Sequence, residues 1–598
     1  MKQSTRITRM ARHMMVLMLT VSLVTGLAVL GDGAYAATST SSPFANTKSS
    51  YQHNSRFDGN LIVHGVDVSY FQSAASDWKK AKLNGCDFAI MRVTYTTYGN
   101  GSLNIDSKFA THYNKAKAAG VMKGVYVFSQ AKSVTEARKE ATYAVNRLKA
   151  LGIGPADLEL PIYMDYEFAG KSSGKNKGRL YGLKKATAIN CVNAFAEVIR
   201  SYGYDPGVYA NTNFFKSYLG NGTTLDADID MWDAQYYSRN ESPSNYTKWQ
   251  YTSTAKVNGI LYYSTNKIGS TDADFWYLNK KSNASPITKI YGNTTLNYTG
   301  NAVRPNLEIY EGSKLLKEGV DYVVGGINNV KKSTSGAYAY VRGIGSYGGY
   351  ALVPLTIGSG YINHIGLSGI GGAIITKTNG ASYSIGSNAN GGYVRNVPAG
   401  TTASKMLGNL ALKSSYSGKY TLEVIDAAGK KVSGSAKVTT GMMIGVYSGS
   451  TLKGTADITV NGDTLNNRGA NYLRHVSRSA VKSSQSGSSS ASVSSVAAAT
   501  AVKKTYIKSF KRYTGAFTVK VKKLKKSQAS GYEMRYSTNK KMSNAVYKTI
   551  GTKYNKVSKK ISKLRSKTSY YVQVRAYKIV NGNYYYSGWS KVKKINTK

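Results

Sequence analysis

Residues 160–168 read Leu-Pro-Ile-Tyr-Met-Asp-Tyr-Glu-Phe, so two acids, Asp165 and Glu167, directly follow a short apolar run. In an extended chain, positions i and i+2 point to the same face, and both carboxyl groups would therefore lie on one side of a strand end. Acid and base chemistry on a glycosidic bond requires two carboxyl groups aimed in this way. Strand ends also carry solvated acids, so the pair has to be weighed with the chain around it.

The apolar run belongs to a region, residues 61–280, in which short apolar segments alternate with amphipathic stretches. The predicted strands are residues 61–68, 88–93, 121–128, 160–164, 207–209 and 231–236. The predicted helices are residues 107–119, 134–151 and 184–202, and Gly120, Gly152 and Gly203 stand where these helices should stop. This alternation predicts a parallel α/β barrel or a doubly wound sheet.

Other acids fall at the ends of predicted strands. Asp67 follows the first apolar run, and Asp272 and Asp274 stand in the last segment of the region. In α/β barrels the carboxyl ends of the strands carry the chemistry, so we expect these acids to lie near Asp165 and Glu167. Aromatic residues accompany them, and aromatic faces pack against sugar rings, although any single ring is more simply explained as part of the core.

Eight short blocks make the pattern specific. In chain order they are Gly65-Val-Asp-Val-Ser69, Phe88-Ala-Ile-Met-Arg92, Gly124-Val-Tyr-Val-Phe128, Met164-Asp-Tyr-Glu167, Gly207-Val-Tyr209, Met231-Trp-Asp-Ala-Gln-Tyr236, Trp249-Gln-Tyr251 and Asp272-Ala-Asp274. In this order and spacing, residues 61–280 resemble glycoside hydrolase family 25, the secreted peptidoglycan muramidases. An ordered set of blocks is far more specific than a single motif.

The resemblance implies a modified TIM-type α/β barrel that cleaves the β-1,4 bond between N-acetylmuramic acid and N-acetylglucosamine. It implies that Glu167 is the general acid, and that Asp165 steadies the substrate's 2-acetamido group or the intermediate. Asp67 and Asp272 match the other acids of the cleft. The residues expected to contact substrate are Tyr126, Phe128, Arg92, Trp232, Tyr236 and Trp249. No cofactor and no metal is expected.

Physical reasoning agrees with these roles, because crowding by Asp165 and Asp67 would raise the pKa of Glu167 and keep it protonated near neutral pH. The group that attacks the anomeric carbon stays open between the 2-acetamido group, Asp165 and water, because carboxyl separations do not follow from sequence. One departure from the family pattern is Asp274, where an Asn is expected.

The composition indicates a partner with negative charge. The 598 residues carry 80 Lys and Arg against 30 Asp and Glu, a formal net charge of +50. Residues 501–598 hold 27 Lys and Arg against one acid, Glu533, whereas residues 61–280 hold 26 against 19. The excess is therefore concentrated at the C-terminal end, and it exceeds what solubility needs.

The beginning of the chain predicts export. Basic residues precede an apolar run over residues 14–31, and Ala34-Tyr35-Ala36 offers small residues for signal peptidase, so residues 1–36 are predicted to be a cleaved signal peptide. The alternative is a retained membrane anchor, because the apolar run approaches spanning length. The Ala-x-Ala site favours cleavage and no stable membrane anchor afterwards. Residues 37–60 are then predicted to form a flexible spacer.

Beyond residue 280 the helical period disappears, which predicts all-β sandwich modules. Residues 286–358 resemble a β-sandwich repeat of bacterial surface proteins. Residues 359–475 form a second β-rich module, whose end at residues 461–467 weakly resembles a dockerin calcium loop with too few ligands for calcium. Residues 476–502 are a Ser- and Ala-rich linker. Residues 503–598 resemble a fibronectin type III domain, with Tyr570 at the position of the corner tyrosine.

These features bear on three possible functions. The leading one is an exported muramidase that acts on peptidoglycan and is held on the wall by basic modules that bind anionic polymers such as teichoic acid. The second is a wall-binding or adhesive protein whose barrel binds glycan without cleaving it. Binding of nucleic acid is not predicted, because the basic domain has no recognised nucleic-acid motif. The two cysteines, Cys86 and Cys191, are predicted to be buried free thiols.

Overall fold

The computed structural model describes residues 35–174, 177–280, 286–362, 374–378, 380–388, 391–463, 465, 472–476, 502–540, 542, 546–551, 554–562, 564–580, 583–587 and 589–598. All but the last two residues of the predicted signal peptide, and all but the two end residues of the predicted linker, lie outside these ranges. The chain divides into two compact units, residues 1–483 and 484–598. No helix within the described ranges is long and apolar enough to cross a bilayer.

The first strands of the larger unit precede the barrel. They are β1 (Tyr35–Thr40) and β2 (Tyr51–Asn54), which pair antiparallel. Phe44 and Tyr51 are buried, and the Tyr51 ring packs edge-on against Trp249 and Phe275 of the barrel. Residues 37–60 were predicted to be a flexible spacer, and this is wrong for the segment around Phe44 and Tyr51. Burial of these two aromatic side chains removes apolar surface from water, and the free energy gained holds the segment on the barrel.

Residues 61–280 form a sheet of nine strands, eight of which close into a barrel. The strands are β3 (Leu61–Val68), β4 (Phe88–Thr96), β5 (Leu103–Ile105), β6 (Met122–Ser129), β7 (Ile162–Tyr166), β8 (Pro206–Asn211), β9 (Asp230–Ala234), β10 (Lys248–Leu261) and β11 (Ile268–Leu278). The order around the barrel is β3-β4-β6-β7-β8-β9-β10-β11, with β11 returning to β3, and β5 is added at the edge of β4. The strands from β3 to β10 in this circuit run parallel, whereas β11 runs antiparallel to both of its neighbours. The sheet therefore differs from a wholly parallel α/β barrel in one strand.

Five helices connect the parallel strands. They are α1 (Trp78–Leu83), α2 (Phe109–Ala118), α3 (Val134–Ala150), α4 (Lys185–Ser201) and α5 (Thr212–Tyr218). The helices over residues 107–119, 134–151 and 184–202 were predicted, and Gly120, Gly152 and Gly203 adopt the positive φ that ends them. Cys86 and Cys191 are buried free thiols, as predicted.

A second β module packs on the barrel. Its strands are β12 (Lys289–Gly292), β13 (Thr295–Asn297), β14 (Leu307–Glu311), β15 (Lys314–Leu315), β16 (Tyr322–Ile327), β17 (Ser333–Gly343), β18 (Tyr347–Gly348) and β19 (Tyr350–Gly358). They form one sheet of β12-β14-β15 and another of β13-β19-β17-β16. Residues 343–348 read Gly-Ile-Gly-Ser-Tyr-Gly, a spacing that also occurs in dinucleotide-binding loops. The strand β19 follows them in place of the helix whose N-terminus would hold a pyrophosphate, so they do not form such a loop.

The same apolar cluster contains residues of the barrel interior and of this module. Tyr340 of β17 packs edge-on against Trp276 of β11, with the ring centroids 5.0 Å apart. The Arg342 guanidinium donates to the Leu158 carbonyl at 2.7 Å and pairs with Asp205. These contacts lie at the amino ends of the parallel strands, so the module closes the end of the barrel opposite to the predicted acids.

A third β module completes the larger unit. Its elements are β20 (Ile375–Lys377), β21 (Ser384–Asn388), β22 (Gly391–Val397), α6 (Ala403–Gly408), β23 (Leu410–Leu412), β24 (Thr421–Ile425), β25 (Met443–Ser448), β26 (Thr451–Val460) and β27 (Arg474–His475). The main sheet has the order β21-β22-β26-β25-β24, and β27 returns to pair with β18 of the second module. Residues 464, 466 and 467 of the predicted dockerin-like end lie outside the described residues.

The smaller unit is a two-sheet β sandwich. Its strands are β28 (Ile507–Tyr513), β29 (Ala516–Val521), β30 (Gly531–Ser537), β31 (Val546–Gly551), β32 (Ser558–Ile561), β33 (Ser569–Val580), β34 (Asn583–Tyr586) and β35 (Lys593–Asn596). One sheet is β28-β29-β32, and the other contains β31, β30, β33, β34 and β35. Phe517 and Val519 of the first sheet share a core with Met534 and Val574 of the second.

Candidate active site

The four predicted carboxyl groups meet at one end of the barrel. Asp67 lies near the end of β3, and its partner across the sheet is Asp272 of β11. Asp165 lies in β7, and Glu167 follows directly after that strand. Because β11 runs antiparallel, its first residues lie at the same edge as the carboxyl ends of the parallel strands. The sheet therefore brings together acids that are more than 200 residues apart in sequence.

Burial and mutual repulsion raise the pKa values of these carboxyl groups. Burial, followed by the charge of Asp67, raises the pKa of Glu167 to about 7. Burial also raises the pKa of Asp67 to about 7, against hydrogen bonds and Arg92 that lower it. The pKa values of Asp165 and Asp272 lie well above the ordinary range, again because of burial and then of neighbouring carboxylates. At neutral pH the cluster therefore retains protons, and a retained proton can be donated to a substrate.

Gln250 of β10 holds Asp67 in place. Its side-chain amide donates to Asp67 Oδ2 at 2.7 Å. Its Oε1 accepts hydrogen bonds from the hydroxyls of Tyr209 at 2.9 Å and Tyr236 at 2.8 Å. The two hydroxyl donors fix which end of the amide faces Asp67, so the Asp67 carboxylate receives an N–H donor. Sequence reasoning missed Gln250 and Tyr209 as site residues, although both stand inside the blocks of the family pattern.

Asp165 has an oxygen with no partner. Its Oδ1 is buried and forms no hydrogen bond to any of the described residues. Asp165 is only 7% exposed, so bulk water does not supply the missing hydrogen bond to Oδ1. A buried oxygen in this state is expected to find a donor, and a ligand in the cleft can supply one.

Arg92 of β4 supplies positive charge to the cluster. Its Nε donates to Asp106 Oδ2 at 2.9 Å, and its guanidinium lies 5.0 Å from the ring centroids of both Tyr70 and Tyr95. Arg92 lowers the pKa values of Asp67 and Asp165, which opposes the effect of burial. Asp106 in turn accepts from the Tyr70 backbone N–H at 2.9 Å. Arg92 is thus fixed by Asp106, a residue that the sequence did not indicate.

Four of the five predicted aromatic residues occupy three different places. Tyr126 and Trp232 are inside the barrel and meet edge-on, with their centroids 6.4 Å apart. Phe128 is partly buried and stands next to Asp165 in the sheet register. Tyr236 is 39% exposed and reaches Gln250 from the rim.

Trp249 is not at the site. Its ring is fully buried on the outer side of the sheet, against Tyr51 and Phe275, and its Nε1 donates to the Gln235 carbonyl at 2.7 Å. Neighbouring strand residues point to opposite faces, so Gln250 faces the barrel interior and Trp249 faces away. The expectation that Trp249 contacts substrate is therefore corrected, because this ring has no exposed face on which a sugar could stack.

Asp274 lies deeper in the barrel than the four acids. It is fully buried, and its Oδ1 accepts from Trp232 Nε1 at 2.9 Å. Burial and the charge of Asp67 raise its pKa well above the ordinary range. A protonated carboxyl presents one carbonyl oxygen and one O–H group, so it resembles the amide of the Asn expected here in carrying both an acceptor and a donor.

Comparison with known proteins agrees with the geometry. The family model described as Glycosyl hydrolases family 25 matches residues 66–260. Lysozyme M1 of Streptomyces globisporus is 26% identical over 203 residues, which are 33% of this chain and 64% of that protein. The autolytic lysozyme of Clostridium acetobutylicum is 27% identical over 213 residues, 36% of this chain and 55% of that protein. The match thus spans less than two thirds of either relative.

Among solved structures, that of the modular autolysin LytC from Streptococcus pneumoniae is similar to this chain. It is 24% identical, with a TM-score of 0.30, and the match covers 36% of this chain and 47% of LytC.

Proposed function

We propose that this protein is an exported peptidoglycan hydrolase, an N-acetylmuramidase that cleaves the β-1,4 bond between N-acetylmuramic acid and N-acetylglucosamine. The observation that carries the proposal is the carboxyl cluster, in which burial raises the pKa of Glu167 to about 7. The family match at residues 66–260 and the lysozyme relatives support the same substrate class.

Each carboxyl group has a role in this reaction. Glu167, whose pKa burial raises to about 7, keeps its proton in a substantial fraction of molecules at neutral pH and donates it to the glycosidic oxygen as the bond to the leaving sugar breaks. Asp165 offers its unpartnered Oδ1 to the N–H of the substrate's 2-acetamido group, which orients that group beneath the anomeric carbon. Asp67, held by Gln250, and Asp272 line the same cleft, and the negative charge that the carboxyl cluster keeps stabilises the oxocarbenium-like transition state.

The stereochemistry of the product distinguishes the possible second steps. Attack by the 2-acetamido oxygen or by Asp165 leads to retention at the anomeric carbon, whereas direct attack by water inverts it. Proton NMR of the first product formed from a soluble muropeptide chain shows the anomeric configuration before mutarotation mixes the two anomers.

The rest of the chain brings the enzyme to the wall in this proposal. Residues 1–36 direct export and are removed. The smaller unit is a fibronectin type III-like sandwich, for which the hydrogen bond from the Arg565 backbone N–H to the Tyr570 hydroxyl at 3.1 Å is supporting geometry. Its positive charge holds the protein on anionic wall polymers, with teichoic acid as the preferred ligand.

Digestion of purified peptidoglycan tests the catalytic proposal. The mature protein should release new muramic acid reducing ends, and Glu167→Gln should lower the rate by about 100-fold to 10,000-fold, the usual contribution of a general acid. Glu197→Gln is the matched control, because Glu197 lies on α4 in an ion pair with Arg138. New glucosamine ends, peptide cleavage, or an active Glu167→Gln protein would refute the proposal. Wall binding without new reducing ends would favour a non-catalytic adhesive protein.

A further inference from the structure

The outer surface of the β28-β29-β32 sheet in the smaller unit has a regular arrangement of lysines. On β29, Phe517, Val519 and Val521 are buried, so Thr518 and Lys520 between them point outward. The register places Lys511 of β28 and Lys560 of β32 on either side of Thr518. Side chains that are opposite each other across a sheet lie on the same face. The lysine face is defined as Ser509, Lys511, Tyr513, Thr518, Lys520, Lys522, Ser558 and Lys560.

No acidic side chain of the smaller unit lies on the same sheet as the four lysines of this face. The only acidic side chain of residues 501–598 is Glu533, which lies on β30 of the other sheet and pairs with Arg575 at 2.6 Å. Lys511, Lys520 and Lys560 are all exposed. Adjacent strands are about 4.8 Å apart, so Lys511 and Lys560 stand about 10 Å apart across Thr518. Lys520 and Lys522 follow at steps of about 7 Å along the strand direction.

We propose that the lysine face binds a linear polyol polymer linked by phosphodiesters, the chemical class of wall teichoic acid. The face is an exposed sheet surface with repeated single positive charges, which fits an extended chain with repeated single negative charges. The hydroxyls of Ser509, Thr518 and Ser558 lie between the lysines and can donate to phosphate oxygens or accept from polyol hydroxyls. This inference rests on the proposed wall location of the enzyme and names the surface that produces it.

Two other polyanionic partners fit the face less well. Single-stranded nucleic acid needs free aromatic rings on which bases stack. The only ring of the face is Tyr513, which is partly buried and already lies 4.5 Å from the Lys560 ammonium group. An anionic membrane surface is bound by apolar side chains together with basic ones. The lysine face has no exposed aliphatic side chain to insert.

The test uses full-length mature protein with Glu167→Gln, so that the wall is not digested during binding. The face variant is Lys511→Gln with Lys520→Gln and Lys560→Gln. The control variant is Lys525→Gln with Lys526→Gln and Lys594→Gln, which removes the same charge from exposed positions outside the face. Both variants are compared with the parent protein by far-ultraviolet circular dichroism and thermal unfolding.

Binding is measured on purified Gram-positive sacculi before and after removal of phosphate polymers with hydrofluoric acid, and on soluble poly(glycerol phosphate). The face variant should lose at least about tenfold in affinity for untreated sacculi, and the slope of log K against log salt should fall by about one for each lysine removed. The control variant should lose less than about threefold. Untreated and stripped sacculi that bind the parent equally, or equal losses in the two variants, would overturn the proposal.

Duplex DNA and vesicles of anionic phospholipid serve as competing probes. Tighter binding to either one than to poly(glycerol phosphate), with the same loss in the face variant, would assign the face to that partner and overturn the inference. Hydrolysis of stripped peptidoglycan is measured in parallel, with a protein that keeps Glu167 and carries the three face substitutions. Unchanged hydrolysis with unchanged wall binding refutes the lysine face alone, whereas absent hydrolysis in the parent refutes the proposed enzyme.

Discussion

Lys82 provides the sharpest test of how the second β module is joined to the barrel. Its Nζ pairs with Asp87 at 2.6 Å and donates to the Gly326 carbonyl of β16 at 2.8 Å. Asp87 also accepts the Asn328 backbone N–H, at 3.0 and 3.1 Å for its two oxygens. The side chains of Lys82 and Asp87 are 1% and 3% exposed. Both charges are therefore removed from water at the interface between barrel and module.

Replacing Lys82 with Met keeps the length and apolar stem of the side chain and removes the charge. Asp87 is then left buried without its cation, and breaking a buried ion pair in this way destabilises proteins by about 3–5 kcal/mol. The backbone hydrogen bonds from Asn328 persist, so we expect about 3 kcal/mol, the lower end of that range. The double variant Lys82→Met with Asp87→Asn should recover at least about 1 kcal/mol, because no charge is left unpaired.

Urea unfolding of the mature protein, followed by tryptophan fluorescence, measures this change. Four of the five tryptophans, at positions 78, 232, 249 and 276, lie in the barrel region. A Trp589→Phe background removes the signal from the smaller unit. Lys79→Met is the matched control, because Lys79 is an exposed lysine of the same helix. Loss of less than about 1 kcal/mol for Lys82→Met, or a double variant less stable than the single one, would refute the argument from burial.

Four further predictions concern the carboxyl cluster and the base of the barrel. Activity on peptidoglycan should fall as pH rises through about 7, the raised pKa of Glu167, because the general acid loses its proton; a rate that keeps rising to pH 9 contradicts this. Gln250→Met should lower kcat/KM by about tenfold or more, because Asp67 loses a charge-assisted hydrogen bond. An unchanged pH–rate profile would show that the ionisation of Asp67 does not depend on the hydrogen bond from Gln250. Asp274→Asn should stabilise the barrel more at pH 8 than at pH 4, by up to about 1.4 kcal/mol per pH unit. The reason is that the folded-state pKa of Asp274 is raised, so the stability of the parent protein falls as pH rises above the unfolded-state pKa, whereas Asn does not titrate. Equal shifts in melting temperature at the two pH values would contradict this. Residues 37–280 alone should aggregate while residues 37–476 stay soluble, because the shorter chain exposes Trp276, and gel filtration distinguishes the two outcomes.

Much of the barrel could be predicted from local pattern. Apolar segments and amphipathic helices with glycine stops gave six of the strands and three of the helices between residues 61 and 280, since these periods depend on neighbours in sequence. They did not give β5, β10, β11, α1 or α5. The four acids were found in the same way, from their positions at strand ends. The flexible spacer was wrong because a composition rich in Ser and Asn hid two buried aromatic residues, Phe44 and Tyr51, and the ring partners of Tyr51 lie about 200 residues away.

The orientation of β10 shows where local pattern stops. Alternation puts Trp249 and Gln250 on opposite faces, yet it does not say which face becomes the interior. Closure of the sheet decided this, and it placed the amide of Gln250 beside Asp67 and the ring of Trp249 outside. Closure depends on β11 pairing with β3 as an antiparallel strand, a contact between residues about 200 positions apart.

The sequence by itself determined the alternation of strands and helices, the identity of the acidic residues and the one-sided charge of the C-terminal region, because each is a property of residues close together in the chain. Only the tertiary structure decided that Asp67 and Asp272 face each other, that their pKa values rise, and that a β module closes the base of the barrel. Those features depend on burial and on distances between remote residues, and burial is what makes a carboxyl group hold its proton at neutral pH.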